Sequence, residues 1–379
     1  MNFVAVDLGA SSTRFTSDSG KISVLPNNMV FLTPETTVDL QPYDGQIENA
    51  LEVIIRKEGD SKFFPTKVLI GQMAERFSAN NERPSVLTNK HTQKINYISG
   101  IVAAAISRLN NELSEDICLY IALPPIEVKT AKDVVRTNFV GKYTVEFPKY
   151  NGGVTVTLNI VDVKCYEESF MAILSYFFEM TGVPKEKAKK YMSGNILSLD
   201  IGASTTDIAI VKDGRYLDKS GQTYKTGGNI ARDFLTNVIR GEYGFDLPPS
   251  DADQAMAEGR LQMGNTYVDI SDAVANAKMT CAKGIAASMQ TYFRQVEIPI
   301  QTIRAIIVSG GGSMHSQYVN ESGEVVITSD PMSSYITEAL KEICTGVAVE
   351  SYGDSPRLAN ITGLFIRAKV DMNKRAQAV

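Results

Sequence analysis

One seven-residue pattern occurs twice in this chain, and no other feature limits the possible fold as strongly. Residues 7–13 read Asp-Leu-Gly-Ala-Ser-Ser-Thr, and residues 200–206 read Asp-Ile-Gly-Ala-Ser-Thr-Thr. Each copy follows a mostly apolar run, Phe3–Val6 in the first case and Ile196–Leu199 in the second. Each leads into a β-prone run and then a glycine-containing turn, Asp18-Ser19-Gly20 or Asp213-Gly214. The pattern predicts strand, tight turn, strand, turn, strand. Small residues at the first turn let the backbone bend sharply and let a bulky anion come close. A single unit of this kind reads as an ordinary hairpin. Two units 193 positions apart in a chain of 379 residues are another matter. That spacing is too long for a solenoid repeat. It predicts two related domains, each bringing one phosphate-sized turn to a shared cleft.

Composition agrees with a folded, multi-domain protein. Hydrophobic residues make up 44% and charged residues 21%, ordinary proportions for a globular chain. The length predicts two or more domains. A net charge of −5 provides no basic footprint for direct nucleic-acid contact. Cys118, Cys165, Cys281 and Cys344 are scattered without a CxxC pair, which argues against a disulfide framework or a zinc site and fits a reducing cytoplasm. His91 and His315 stand in unrelated contexts and read as surface or loop residues, so histidine-based catalysis is not expected. No apolar run is long enough to cross a membrane, and the first apolar run carries Asp7, unlike a signal peptide.

Taken in order, residues 1–25 predict a three-stranded meander. Residues 26–95 are loop-rich and read as an inserted subdomain, with Val68–Ile70 a short strand. Helical spacing follows over 95–113, then a buried strand at Cys118–Leu123 ended by Pro124-Pro125. A helix is expected over 129–138, then β-prone runs at Tyr143–Phe147 and Val154–Val163. Cys165-Tyr166-Glu167-Glu168-Ser169 opens a predicted helix that runs through Phe178. Thr226-Gly227-Gly228-Asn229 precedes an amphipathic helix, and the Ala- and Met-rich stretch 248–292 reads as a mainly helical second insertion. The strand Ile303–Val308 runs into Ser309-Gly310-Gly311-Gly312, where glycines allow close approach to a ligand. Neither a GxxxxGK[ST] loop nor a GxGxxG turn after a strand is present.

Two DxGxxxT turns, an acidic helix start between them, a strand running into Gly-Gly-Gly and a final small-residue helix occur here in a fixed order. In this order they resemble the actin-like ATPase superfamily, which includes actins, chaperone ATPase domains and sugar kinases. The resemblance covers nearly the whole chain, and the layout looks most like the plasmid-segregation actins of the ParM type. It implies an α/β fold of two related domains of actin/ribonuclease H-like type, each a mixed five-stranded sheet with flanking helices. Domain I would be residues 1–164 with an insertion at about 26–95, completed by C-terminal helices at about 343–379. Domain II would be residues 165–342 with an insertion at about 218–292.

The resemblance also implies a site. Gly9, Ala10, Ser11, Ser12, Thr13 and Arg14 match the first phosphate motif, and Gly202, Ala203, Ser204 and Thr205 the second. Gly227, Gly228, Gly310, Gly311 and Gly312 would line the nucleotide, and Glu258 and Arg260 on a helix over 248–262 would meet ribose and base. Asp7 and Asp200 would hold Mg2+, since bare carboxylates beside a triphosphate repel it. Glu168, with Asp200, would carry catalysis by aligning the attacking water, although Glu167 is an adjacent rival and an acid in a first helical turn suits the helix dipole in any case. The implied cofactor is ATP, with GTP the alternative. The implied activity is nucleotide-dependent assembly into dynamic filaments in a bacterial cytoplasm, moving plasmid DNA through a separate DNA-binding adaptor at the plasmid centromere. No direct nucleic-acid or membrane contact is expected. A small-molecule kinase of the same fold is the alternative; it needs an acceptor pocket and a base that the sequence does not point to.

Overall fold

The computed structural model describes residues 2–37, 51–60, 64–71, 74, 93–109, 116–314, 317–319, 325–327, 330–353 and 355–377. The chain divides into two compact units, residues 1–184 with 360–379 and residues 185–359. His91 and His315 lie outside the described residues.

In the first unit, β1 (Asn2–Leu8), β2 (Ser12–Ser17), β3 (Ser23–Pro26), β4 (Met29–Leu32), β5 (Leu51–Lys57) and β6 (Thr66–Ile70) precede α1 (Lys94–Ile106). Then come β7 (Asp116–Leu123), the short helices α2 (Pro125–Thr130) and α3 (Lys132–Phe139), β8 (Gly141–Phe147), β9 (Val154–Glu167) and α4 (Glu168–Phe177). All nine strands form one sheet in the order β3-β2-β1-β7-β9-β8-β5-β6-β4. Its centre is parallel, with β7 between β1 and β9. Strands in that position are covered on both faces, which is why Val4, Val6 and Leu8 and the whole of Ile117–Leu123 are buried.

Several expectations change here. The sheet has nine strands rather than five, because β5 of the 26–95 region pairs with β8 and brings β6 and β4 onto the same sheet. The described strands of that region, β4, β5 and β6, therefore extend the main sheet. The helix expected over 129–138 is two short helices, separated where Ala131 leaves helical geometry at φ −128°. The helix expected from Cys165 begins at Glu168, since β9 stays parallel to β7 as far as the pair Leu123↔Glu167.

In the second unit, β10 (Asn195–Ile201), β11 (Thr206–Lys212), β12 (Arg215–Tyr216) and β13 (Gln222–Tyr224) precede α5 (Asn229–Tyr243) and α6 (Pro249–Glu258). A hairpin of β14 (Arg260–Met263) and β15 (Thr266–Asp269) leads into the long α7 (Ser271–Val296), followed by β16 (Ile303–Ser309), β17 (Gln317–Val319), β18 (Val325–Ile327), α8 (Met332–Lys341) and β19 (Ala348–Ser351). The six-stranded sheet runs β12-β11-β10-β16-β19, with β13 also on β11. Its core joins Leu197, Leu199 and Ile210 to Leu235, Ile239, Ile285 and Met289 of α5 and α7. The stretch 248–292 is mainly helical, as expected, with the hairpin set between its two helices. Gly259, at φ +66°, stops α6 and the chain turns into the hairpin, so Arg260 is a strand residue and the helix expected over 248–262 ends at Glu258.

The last helix, α9 (Ala359–Gln377), packs in the first unit. A Cβ on its Gly363 would lie 1.9 Å from the Met171 carbonyl oxygen, so α9 and α4 meet backbone to backbone. Further along, Asp371 accepts from Lys164 Nζ at 3.0 Å and Tyr166 Oη at 2.8 Å and pairs with Arg367 at 3.2 Å. Burial alone would raise the Asp371 pKa, but these donors outweigh it and hold the carboxyl below its usual range. The unit boundaries fall at 184/185 and 359/360 rather than 164/165 and 342/343, because α4 packs on β7 and β9 and α8 packs on α7.

Candidate functional site

The two repeated motifs fold into the same turn. In the first unit the Gly9 amide donates to the Ser12 carbonyl at 3.1 Å; in the second the Gly202 amide donates to the Thr205 carbonyl at 2.8 Å. The strands before and after are antiparallel partners in both cases, with Asp7 opposite Arg14 and Asp200 opposite Asp207. The turn residues are partly exposed, whereas Asp7 and Asp200 are buried at the strand ends. Amides collected in such a turn form a concave anion-binding surface without a lysine loop.

The first turn is latched by a residue that the sequence reading passed over. Asn27, 1% exposed, donates from Nδ2 to the Gly9 carbonyl at 2.5 Å and accepts from Thr13 Oγ1 at 2.8 Å. Its own amide donates to the Ser11 carbonyl at 3.0 Å. Arg14 Nη1 reaches Asp7 Oδ2 at 3.3 Å, so the strand-end acid has its counter-charge beside it. Arg14 Nε is buried and has no hydrogen-bond partner among the described residues, a donor suited to an anion.

The second turn is held by its neighbours' backbone. The Gly228 amide donates to the Gly202 carbonyl at 3.0 Å and the Asn229 amide to Ala203 at 2.6 Å, while Asn229 Nδ2 donates to Ser204 Oγ at 3.1 Å. A Cβ on Gly227 would stand 2.6 Å from Ser204 backbone atoms. Gly310 has φ +87°, and a Cβ there would meet the Ile201 oxygen at 2.3 Å; one on Gly312 would meet the Gly202 oxygen at 2.7 Å. These three glycines are small because the protein's own turn lies against them. A Cβ on Gly311 would make only an ordinary contact, 3.6 Å from Arg357 Cβ, so the protein's own packing does not demand glycine there.

The charge around the two turns differs. Where the first has Arg14, the second has Asp207, which is 2% exposed. The carboxylate oxygens of Asp200 and Asp207 lie within 4.8 Å of each other. Ser309 Oγ donates to Asp200 at 3.2 Å and Thr223 Oγ1 to Asp207 at 2.6 Å. An all-oxygen set carrying two buried carboxylates fits a hard divalent cation. Asp7, already paired with Arg14, fits less well.

Glu168 is the first residue of α4 and is buried, and Glu167 is the last residue of β9 and half-buried. Glu258 and Arg260 form a separate group at the α6–β14 junction. Arg260 Nε bonds Glu258 at 2.9 Å and its guanidinium lies 4.1 Å over the Tyr267 ring. Burial would raise the Glu258 pKa, but hydrogen bonds from Gln254 and Arg260 hold it below the usual carboxylate range. A cavity of about 440 Å³ adjoins this group, lined also by Asp251, Gln254 and Gln262.

Comparison with known proteins gives the architecture a context. Residues 198–318 match the family model of archaeal actin homologue MreB-like, C-terminal. No curated protein sequence matches the chain. The archaeal actin homologue Ta0583 superposes with a TM-score of 0.70 at 18% identity, covering 98% of this chain and 100% of its own, and has also been solved in complex with ADP. A ParM from a 15-stranded filament of Clostridium botulinum superposes at 0.69 and 15% identity, covering 97% and 99%. Bacillus thuringiensis ParM with ATP superposes at 0.68 and 14% identity, covering 98% and 99%. At these identities the likeness is one of fold, along nearly the full length of each chain.

Proposed function

We propose that this chain, which has the actin-like fold, is a filament-forming ATPase that assembles on binding Mg-ATP and disassembles after hydrolysis. The observation that carries the reading is the equivalence of the two turns, in hydrogen bond, in strand register and in the buried acid at the strand end. Solved structures of similar proteins with ADP, with ATP and as a filament support it.

In this reading both turns serve the phosphates of one nucleotide. Amides of residues 9–13 and 202–205 donate to the β- and γ-phosphates, and Arg14 adds positive charge. Asp200 and Asp207 would hold Mg2+, which would supply neutralisation of phosphate charge. Glu168 orients the attacking water, because phosphoryl transfer rests mainly on positioning and electrostatics. Gly311 with Glu258 and Arg260 takes the nucleoside part. ATP favours the conformation that assembles, and a contact between two different surfaces leaves both ends open to growth. The cargo in this reading is a plasmid reached through a DNA-binding adaptor, in keeping with the net charge of −5.

Sedimentation of the pure protein with Mg-ATP and no phosphate acceptor tests the reading. Pelleting that reverses as ATP is consumed is the expected result. Bound nucleotide with no polymer above micromolar protein, and hydrolysis that awaits an added alcohol, would replace the filament with a small-molecule kinase.

A further inference from the structure

One groove on the second unit has no part in the nucleotide chemistry above. The C-terminal half of α5 and the start of α7 line a cavity of about 610 Å³. Phe234, Val238, Tyr243 and Met279 are half-buried along it. Glu242, Asp269 and Asp272 stand exposed at its rim, against one lysine, Lys283. Ser271 donates to Asp269 through both hydroxyl and amide, at 2.6 and 2.9 Å, which keeps that carboxyl charged. The groove is therefore apolar below and negative around its edge.

The complementary surface lies on the first unit. Eight large apolar side chains are exposed among the described residues, and three of them, Ile126, Val134 and Val140, fall on or just after α2 and α3. Lys129, Lys132 and Arg136 are exposed on the same two helices, with Asp133 the single exposed acid there. This face is apolar and positive.

We propose that the acidic groove of one copy receives the basic α2–α3 face of a second copy, forming the contact along which the chain assembles. Charge and apolar character match on both sides, and matched potentials select partner and orientation. The two surfaces differ, so each copy offers one of each and the contact propagates. The groove is also tied to the nucleotide turn through α5. Asn229 at its start bonds Ala203 and Ser204, and Glu242 and Tyr243 at its end line the groove.

The proposal rests on the filament reading, and a charge swap separates the two. Glu242→Lys with Asn276→Lys makes the groove rim basic; both sites are exposed and neither caps a helix. Lys129→Glu with Lys132→Glu makes the face acidic. Each double variant should raise the critical concentration for Mg-ATP assembly about 10-fold or more, and the chain carrying all four changes should return to within about 3-fold of wild type. ATP affinity should stay at the wild-type value throughout. Where a variant melts below wild type, Glu242→Gln is measured instead and should raise the critical concentration by a smaller factor. If wild type assembles and the double variants assemble equally well, the groove is not the contact and the filament reading stands. If wild type binds ATP and never assembles, both fall.

Discussion

Single residues of the site separate protein-imposed from ligand-imposed chemistry. Gly310 faces the Ile201 oxygen and the Asp200 carboxylate at a positive φ, whereas a Cβ on Gly311 would make only an ordinary contact, 3.6 Å from Arg357 Cβ. Gly310→Ala should therefore cost about 3 kcal/mol or more, from backbone strain and overpacking together. Gly311→Ala should melt within about 1 kcal/mol of wild type. Urea unfolding of the two variants checks this, and any loss of nucleotide affinity in Gly311→Ala is then a ligand contact. Glu168 carries the hydrolysis step in the proposed function, so Glu168→Ala should bind Mg-ATP near-normally and hydrolyse it on the order of 10²-fold more slowly, with filaments that persist. Glu167→Ala should stay near the wild-type rate in the same phosphate-release assay; the reverse order would move the role by one residue. The turns themselves were legible because small residues after a strand-end acid are a local signal. Asn27 was not legible: its bond to Gly9 spans 18 positions, and Pro26-Asn27-Asn28 reads as plain loop. Asp207 directly follows the second motif, and carrying the alignment of the two copies one residue further would have matched it with Arg14.

At the level of elements, local pattern located the strands and helices better than it located their ends and partners. The helix predicted from Cys165 starts three residues late because parallel pairing with β7 carries β9 through Glu167, and pairing partners do not show in a local window. The 26–95 strands join the main sheet for the same reason. The α7–α8 contact provides a measurable case of tertiary environment acting on a residue of ordinary type. Lys278 of α7 is 2% exposed, donates to the Asp330 carbonyl at 3.0 Å and sits 5.9 Å over the Tyr335 ring of α8. Burial, opposed only in part by Asp330, lowers its pKa to about 8. The unfolded chain keeps its proton to a higher pH, near 10.4. Below about pH 8 both states are protonated and the burial penalty is complete; between pH 8 and 10 the unfolded state holds more proton, so stability rises with pH. Wild type should gain on Lys278→Met across that window, by at most about 1.4 kcal/mol per pH unit. Urea melts of both proteins at pH 7 and pH 9.5 give the difference. A gap that does not change with pH would mean that the lysine titrates alike in both states.

For the molecule as a whole, the duplicated motif made the two-unit architecture legible at once, whereas the unit boundaries depend on which sheet each helix packs against. The duplication is faithful in backbone and unfaithful in charge. Asp7 has its cation built in, in the form of Arg14, while Asp200 faces a second carboxylate. The consequence is an order of arrival. In the proposed function a bare nucleotide polyanion would find a cation at the first turn and two carboxylates at the second, so the metal–nucleotide complex would be the competent ligand and free nucleotide would bind weakly. Chelation of metal should lower ATP affinity by about 10-fold or more in wild type. In the Asp200→Asn/Asp207→Asn chain, where the repulsion is gone, chelation should change it far less. Isothermal titration with and without EDTA reads both values. Equal metal dependence in the two proteins would mean that the ion's partners lie elsewhere. The chain would thus check at the point of entry that its fuel arrives with its counter-ion.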